Sequence, residues 1–171
     1  MQLHCTQKLL KELGNPPLQS VDELTTGLGN WYANIFILDR KKFLLFINEK
    51  TLYSFVIPSM KKENFKNIID EFLYHLNMNL QVEGFPIAII SKVMQEYKDI
   101  FFAKTASKRV LGSMNEITFN AKYMIMNHYG GVRNIKILAV NKDINRNILG
   151  AINYHRPIEA LRELLTGEKR P

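Results

Sequence analysis

Three runs of aromatic and β-branched residues, Trp31–Leu38, Phe43–Asn48 and Leu52–Ile57, follow one another closely, separated by the polar turns Asp39-Arg40-Lys41-Lys42 and Glu49-Lys50. Turns this short leave no room for a crossover connection, which takes a dozen residues or so. The three runs are therefore expected to form an antiparallel meander. Phe43-Leu44-Leu45-Phe46-Ile47 is apolar at every position, so this strand belongs at the centre of a sheet with helices over at least one face.

Helical periods follow. Phe65, Ile68, Ile69, Phe72, Leu73, Leu76 and Leu80 fall on one helix face, with Lys62, Lys66, Asp70 and Glu71 on or near the wet side, and Gly84 ends the connection. Pro86 suits the first residue of a second helix, striped by Ile87, Ile90, Val93, Met94 and Tyr97. Before the meander, Leu3-His4-Cys5 reads as a short strand, and Thr6 caps a small helix, Gln7 to Leu13, that stops at Gly14. A loop follows to Asn30, with one turn of helix around Asp22-Glu23-Leu24.

The last third alternates. Ile100–Ala103 reads as a strand and Lys104–Ser113 as a basic loop. Ser113-Met114-Asn115-Glu116 matches a capping box opening a helix from Met114 to about Asn127, stopped by Gly130-Gly131. Ile135–Val140 reads as a strand, Asn141–Asn147 as a polar turn, Ile148–Ile152 as a last short edge strand open to pairing, and Ile158–Leu165 as a helix opened by Pro157. The sum is an α+β fold, with a largely antiparallel sheet built on an early three-strand meander and covered by helices. At 171 residues one domain, 1–171, is expected.

The formal net charge is +7, and six of the seven excess positive charges lie in residues 99–171. Such asymmetry is the footprint of a polyanion partner, nucleic acid included, or of a solvated lysine-rich surface. No apolar run is long enough to span a bilayer. The single cysteine, Cys5, excludes an internal disulfide framework, and no basic, apolar leader opens the chain. Both point to the cytoplasm and to no membrane partner.

The residues that carry chemistry are few. In the Lys104–Ser113 loop, three cations stand before a helix start whose free amides attract anions. Lys104, Lys108, Arg109, Ser113 and Asn115 are therefore the candidate anion-binding residues. The loop lacks the G-x-x-x-x-G-K-S/T pattern of a nucleotide-binding P-loop. His4, His75, His128 and His155 show no metal-ligand spacing, so no metal and no cofactor are implied. The Asn141–Asn147 segment resembles a calcium loop only superficially, since Lys142 and Arg146 oppose a hard cation. Trp31, Tyr32, Tyr53, Phe55, Phe101 and Phe102 would suit base stacking if a sheet face were open.

Several of these segments together resemble an uncharacterised prokaryotic family, a domain of unknown function whose members carry R-S-V-x-G-S-M-N-D after a strand ending in A-K. Here the segment is Ala103-Lys104, then Lys108-Arg109-Val110-Leu111-Gly112-Ser113-Met114-Asn115-Glu116. Thr6-Gln7-Lys8-Leu9, Asn30-Trp31-Tyr32-Ala33, Leu52-Tyr53-Ser54 and Tyr154-His155-Arg156-Pro157 resemble further motifs of that family. The resemblance implies a fold shared along the chain and no particular activity. Lys108, Arg109 and Glu116 depart from the residues usual there. Tyr32 and Asn34 stand where other members carry His, which weakens a histidine-based catalytic or metal role.

Two functions are expected from these residues. The first is a non-enzymatic binding or accessory domain that recognises an anionic partner, nucleic acid or another polyanion, with a protein partner also open. The alternative is a small enzyme on a phosphorylated or carboxylated substrate, drawing an acid or base from His4, Tyr53 or Asn48.

Overall fold

Asp39 and Arg40 both take positive φ, 46° and 60°, the pair of left-handed residues that a two-residue type I′ turn requires. This turn joins β2 (Trp31–Leu38) to β3 (Lys41–Asn48), and β4 (Ser54–Ile57) returns beside β3. In this computed structural model, which describes residues 1–19, 26–58 and 65–167, the antiparallel meander is thus β2-β3-β4. The helical turn expected at Asp22–Leu24, Lys62 and the tail beyond Gly167 lie outside the described residues.

Two short strands complete the sheet. β1 (Gln2–Cys5) runs parallel to β2 on one side and to β5 (Phe101–Lys104) on the other. The order is β4-β3-β2-β1-β5. The sheet is mixed and largely antiparallel, and the fold is α+β, as expected from the sequence. Leu18 bridges to Phe102, and the Gln19 amide donates to the Phe102 carbonyl at 2.9 Å. The chain after the first helix therefore covers the outer edge of β5, which would otherwise present unpaired backbone.

Both faces are packed. On one, α1 (Gln7–Glu12), α2 (Ile68–Val82), α3 (Ile87–Glu96) and α6 (Pro157–Thr166) close over Leu3, Cys5, Trp31, Phe46 and Phe55. Phe72 of α2 touches the Trp31, Phe46 and Phe55 rings at centroid distances of 5.3, 5.1 and 5.8 Å. The Trp31 indole N–H donates to the Tyr97 hydroxyl at 2.8 Å, so the indole's one polar group is not left unpaired in the core. On the other face, α4 (Lys108–Asn127) and α5 (Ile137–Ile144) cover Tyr32, Phe36, Leu45 and Val56. Among the described residues no helix is long and apolar enough to cross a membrane.

Three expectations fail here. The helix opens at Lys108, not Met114. Ser107 is its cap, its hydroxyl accepting from the Val110 amide at 3.3 Å, while Ser113 lies inside the helix and donates to the Arg109 carbonyl at 3.2 Å. Burial of Val110 as well as Met114 and Ile117 decides it, because starting at Met114 would leave Val110 off the apolar stripe. Next, Ile137–Ile144 is helix rather than strand. The supposed polar turn supplies Asn141 and Asn145, one helical turn apart and fully buried. Asn141 bonds Val56 N–H and C=O at 2.8 and 3.2 Å, and Asn145 does the same for Ser54 at 2.8 and 2.6 Å. Two side-chain amides thereby replace the strand missing from the edge of β4. Finally, Gly150–Ile152 is a short 3₁₀ turn, with Leu149 bridging to His155, so no edge strand forms there.

Two expected outcomes test this account. Asn145→Leu should cost about 2–4 kcal/mol in urea unfolding, since it strands both backbone groups of Ser54. Ser107→Ala should cost about 1 kcal/mol, as loss of an N-cap does, whereas Ser113→Ala should cost less than that. The reverse ranking in the same titrations would restore the capping box at Ser113.

Candidate functional site at the carboxyl ends of β1 and β5

After β1 the chain turns into α1 on one face of the sheet, and after β5 it turns into α4 on the other. β1 and β5 are parallel neighbours, with Cys5 beside Lys104. Two adjacent parallel strands whose connections leave to opposite faces open a crevice at their carboxyl ends, the topological switch point where open sheets of this kind bind ligands. A cavity of about 360 Å³ lies there, within the range of small-molecule sites. Its polar wall is Gln7, Asn15, Lys104 and Thr105, and its apolar wall includes Leu10 and Leu18. Among the described residues no Asp or Glu lines it.

Cys5 also lines the crevice, but its thiol is almost wholly buried. Burial pushes it up to about 12, so at neutral pH it is a packed, protonated side chain and not a nucleophile.

On the opposite face of β1 stands a second polar group. His4 stacks on Tyr32 at a centroid distance of 4.6 Å. The His4 Nδ1 lies 2.7 Å from the Lys104 carbonyl. A carbonyl only accepts, so the neutral ring carries its proton on Nδ1 and keeps the Nε2 lone pair for another partner. The Tyr32 hydroxyl accepts the Ser107 amide at 3.2 Å, which ties this ring pair to the start of α4. Thr6 Oγ1 donates to Asn34 Oδ1 at 2.9 Å.

The five residues singled out in the sequence are spread apart. Lys104 is exposed at the crevice. Lys108 opens α4 and is exposed. The Arg109 guanidinium donates to the carbonyls of Glu49 and Ala151, and so clamps α4 to the β3–β4 turn and to the 3₁₀ turn. It lines a wider groove with Lys50 and His155. Ser113 is buried within the helix, and Asn115 is exposed farther along it.

Of the three residues named as acid or base, only His4 lies at the crevice end of β1. Asn48 is fully buried and organises the β3–β4 turn, its Oδ1 accepting from the amides of Lys50 and Thr51 at 3.1 and 3.0 Å. Tyr53 is buried in the core, its hydroxyl without a hydrogen-bond partner among the described residues, and burial raises its pKa further from use. Among the described residues the aromatics named for base stacking form no open sheet face, Phe101 and Phe102 being half-buried. Trp31, Tyr53 and Phe55 are fully buried and Tyr32 nearly so. Among the described residues, no three His, Cys, Asp or Glu side chains gather as a metal site would require.

What the sequence reading missed is Gln7, Asn15 and Thr105. No motif marks them, because the crevice exists only through the parallel pairing of β1 with β5.

The chain belongs to the family described as a domain of unknown function, DUF6933, which it matches over residues 2–160. Neither a curated protein nor a solved structure matches it. The crevice, His4, Tyr32 and the start of α4 all fall inside the matched span.

A thiol reagent at pH 8 should label Cys5 in the native protein at least about 10²-fold more slowly than in the urea-unfolded chain. Equal rates would mean that the crevice opens to its floor in solution.

Proposed function

We propose that this member of the family is a binding domain whose crevice at the ends of β1 and β5 holds an anionic group, a phosphate or carboxylate carried on a partly apolar ligand. One observation carries the reading: the cavity wall combines Lys104 with the neutral polar groups of Gln7, Asn15 and Thr105, and among the described residues no carboxylate opposes them. Leu10 and Leu18 supply an apolar surface for the rest of the ligand. The anionic partner expected from the sequence is retained, with its contacts moved from Ser113 and Asn115 to the crevice. A cytoplasmic setting suits such a ligand.

A discrete anion is favoured over a polyanion. Arg109 is spent on carbonyls, Arg146 on Glu83, Arg162 on the Glu83 carbonyl and Arg156 on Glu159. Nucleic acid instead needs a continuous run of available cations along its backbone. The enzymatic alternative draws support from His4 alone. Its ring is oriented by a backbone carbonyl, and its Nε2 lone pair is a base of the right kind.

Titration of the protein with inorganic phosphate, acetate, a mononucleotide and single-stranded RNA, followed by amide NMR, tests this. The mononucleotide should move the resonances of Gln7, Lys104 and Thr105, and Lys104→Ala should weaken its binding about tenfold or more. Perturbations centred on Lys108, Arg133 and Lys136, with RNA binding that falls steeply with salt, would overturn it in favour of nucleic acid.

A further inference from the structure

Helix α4 is apolar on two opposite sides. Val110, Met114, Ile117, Ala121 and Ile125 are buried against the sheet. On the far side Phe119, Tyr123 and Met126 are 71%, 54% and 49% exposed. In an α-helix, residues seven apart fall within about 20° of one another. Gly112, Phe119 and Met126 therefore lie on one line, with Asn115 and Lys122 along one flank and Glu116 and Tyr123 along the other. A line repeating every seven residues is one of the two that a helix brings to a packed partner helix, the flanking positions three or four residues on being the other. Gly112 strengthens the case. A glycine inside a helix is disfavoured, and nothing stands within 4 Å of where its Cβ would be. Within the monomer it therefore clears room for nothing.

We propose that this seam is the interface of a two-fold symmetric dimer, in which α4 packs antiparallel on α4 of a second copy with Phe119 at the axis. The register decides for a second copy over an unrelated partner, because the seam is complementary to itself. In an antiparallel pair centred on residue 119, Gly112 faces Met126 of the second copy, so the long Met126 side chain meets the gap left by the missing one. Phe119 meets Phe119. Along the flanks, Asn115 lies beside Lys122 of the second copy, and Glu116 beside Tyr123, whose hydroxyl can donate to a carboxylate. Neither flank opposes like charges, which would be the usual obstacle to self-association for a chain of net charge +7. An isologous interface demands this kind of self-complementarity.

A seam confined to one helix buries less than a standard interface of about 1,600 Å², so the dimer is expected to dissociate at about 10–100 µM. Sedimentation equilibrium up to about 500 µM should show monomer and dimer in exchange. Phe119→Glu should leave only monomer, with an unchanged circular dichroism spectrum since the side chain is exposed. Ile148→Glu, a control at an exposed apolar residue that is not part of α4, should not alter the equilibrium. Phe119→Cys should form a disulfide-linked dimer under mild oxidation, because the two copies of residue 119 meet at the axis, while Cys5 stays buried. A protein that remains monomeric at the top concentration overturns the proposal. So does a dimer that survives Phe119→Glu, or a Phe119→Cys chain that fails to cross-link.

Discussion

The structure hangs on β1, a strand of four residues, Gln2–Cys5, every one of them buried. Among the described residues it is the only strand with parallel neighbours on both sides. By pairing with β2 it fixes the meander to the N-terminus, and by pairing with β5 it brings in the last third of the chain. The two faces of the sheet meet their helices through it. Leu3 and Cys5 point into the core under α1, α2 and α3, while His4 lies toward α4 on the other side, stacked on Tyr32. A one-residue slip would exchange these two sets, placing an imidazole in an aromatic and aliphatic core. The register of β1 is thereby held by the cost of burying a polar ring without a partner. The crevice is a consequence: it opens where the chain leaves β1 for one face and β5 for the other.

The opposite edge of the sheet is closed by different chemistry. β4 has no outer neighbour, and α5 lies across it with Asn141 and Asn145 spaced to reach alternate residues of the strand. Four backbone groups are satisfied by two side chains, so Ser54 and Val56 present no unpaired backbone at this edge to template aggregation. Next to it, Glu83 is buried at the end of α2, its carboxylate accepting from Nη1 and Nη2 of Arg146 at 3.1 and 2.8 Å. A buried carboxylate is tolerated there because Arg146 is partly exposed, so the pair is not fully desolvated.

Much of this was legible in the sequence, for reasons that differ by element. The meander declared itself through apolar runs joined by turns too short for anything but antiparallel return. α2 and α3 followed from their period, and α6 from Pro157. The start of α4 was misread because Ser113 and Glu116 form a correct local signal, worth about a kilocalorie per mole, and burial of Val110 against the sheet outweighs it. α5 was misread because Ile135–Val140 is short and β-branched, and such runs carry no period that separates helix from strand. The informative feature was the spacing of Asn141 and Asn145 four residues apart, which has meaning only beside an unpaired edge. The crevice itself could not be read at all, since Gln7, Asn15 and Thr105 are brought to Lys104 by a long-range parallel pairing that local patterns do not encode.

The charge asymmetry admits a physical explanation that differs from the one composition alone suggests. Excess cations in residues 99–171 invite an electrostatic surface, yet the guanidiniums there serve mainly as connectors. Arg109 spans the carbonyls of Glu49 and Ala151, Arg162 reaches the Glu83 carbonyl and stacks 5.0 Å from the Phe85 ring centroid, and Arg146 takes the Glu83 carboxylate. Turns and helix ends expose carbonyl groups that have no intrachain amide to accept from, and arginine's planar fork can satisfy two of them at once. A fold that joins short strands and helices through many such turns needs those donors for its own backbone. Among the described residues the available cation at the crevice is Lys104, and the proposed reading rests on it: one lysine among neutral polar groups and aliphatic walls suits a ligand with one anionic group and an apolar body better than a charged polymer.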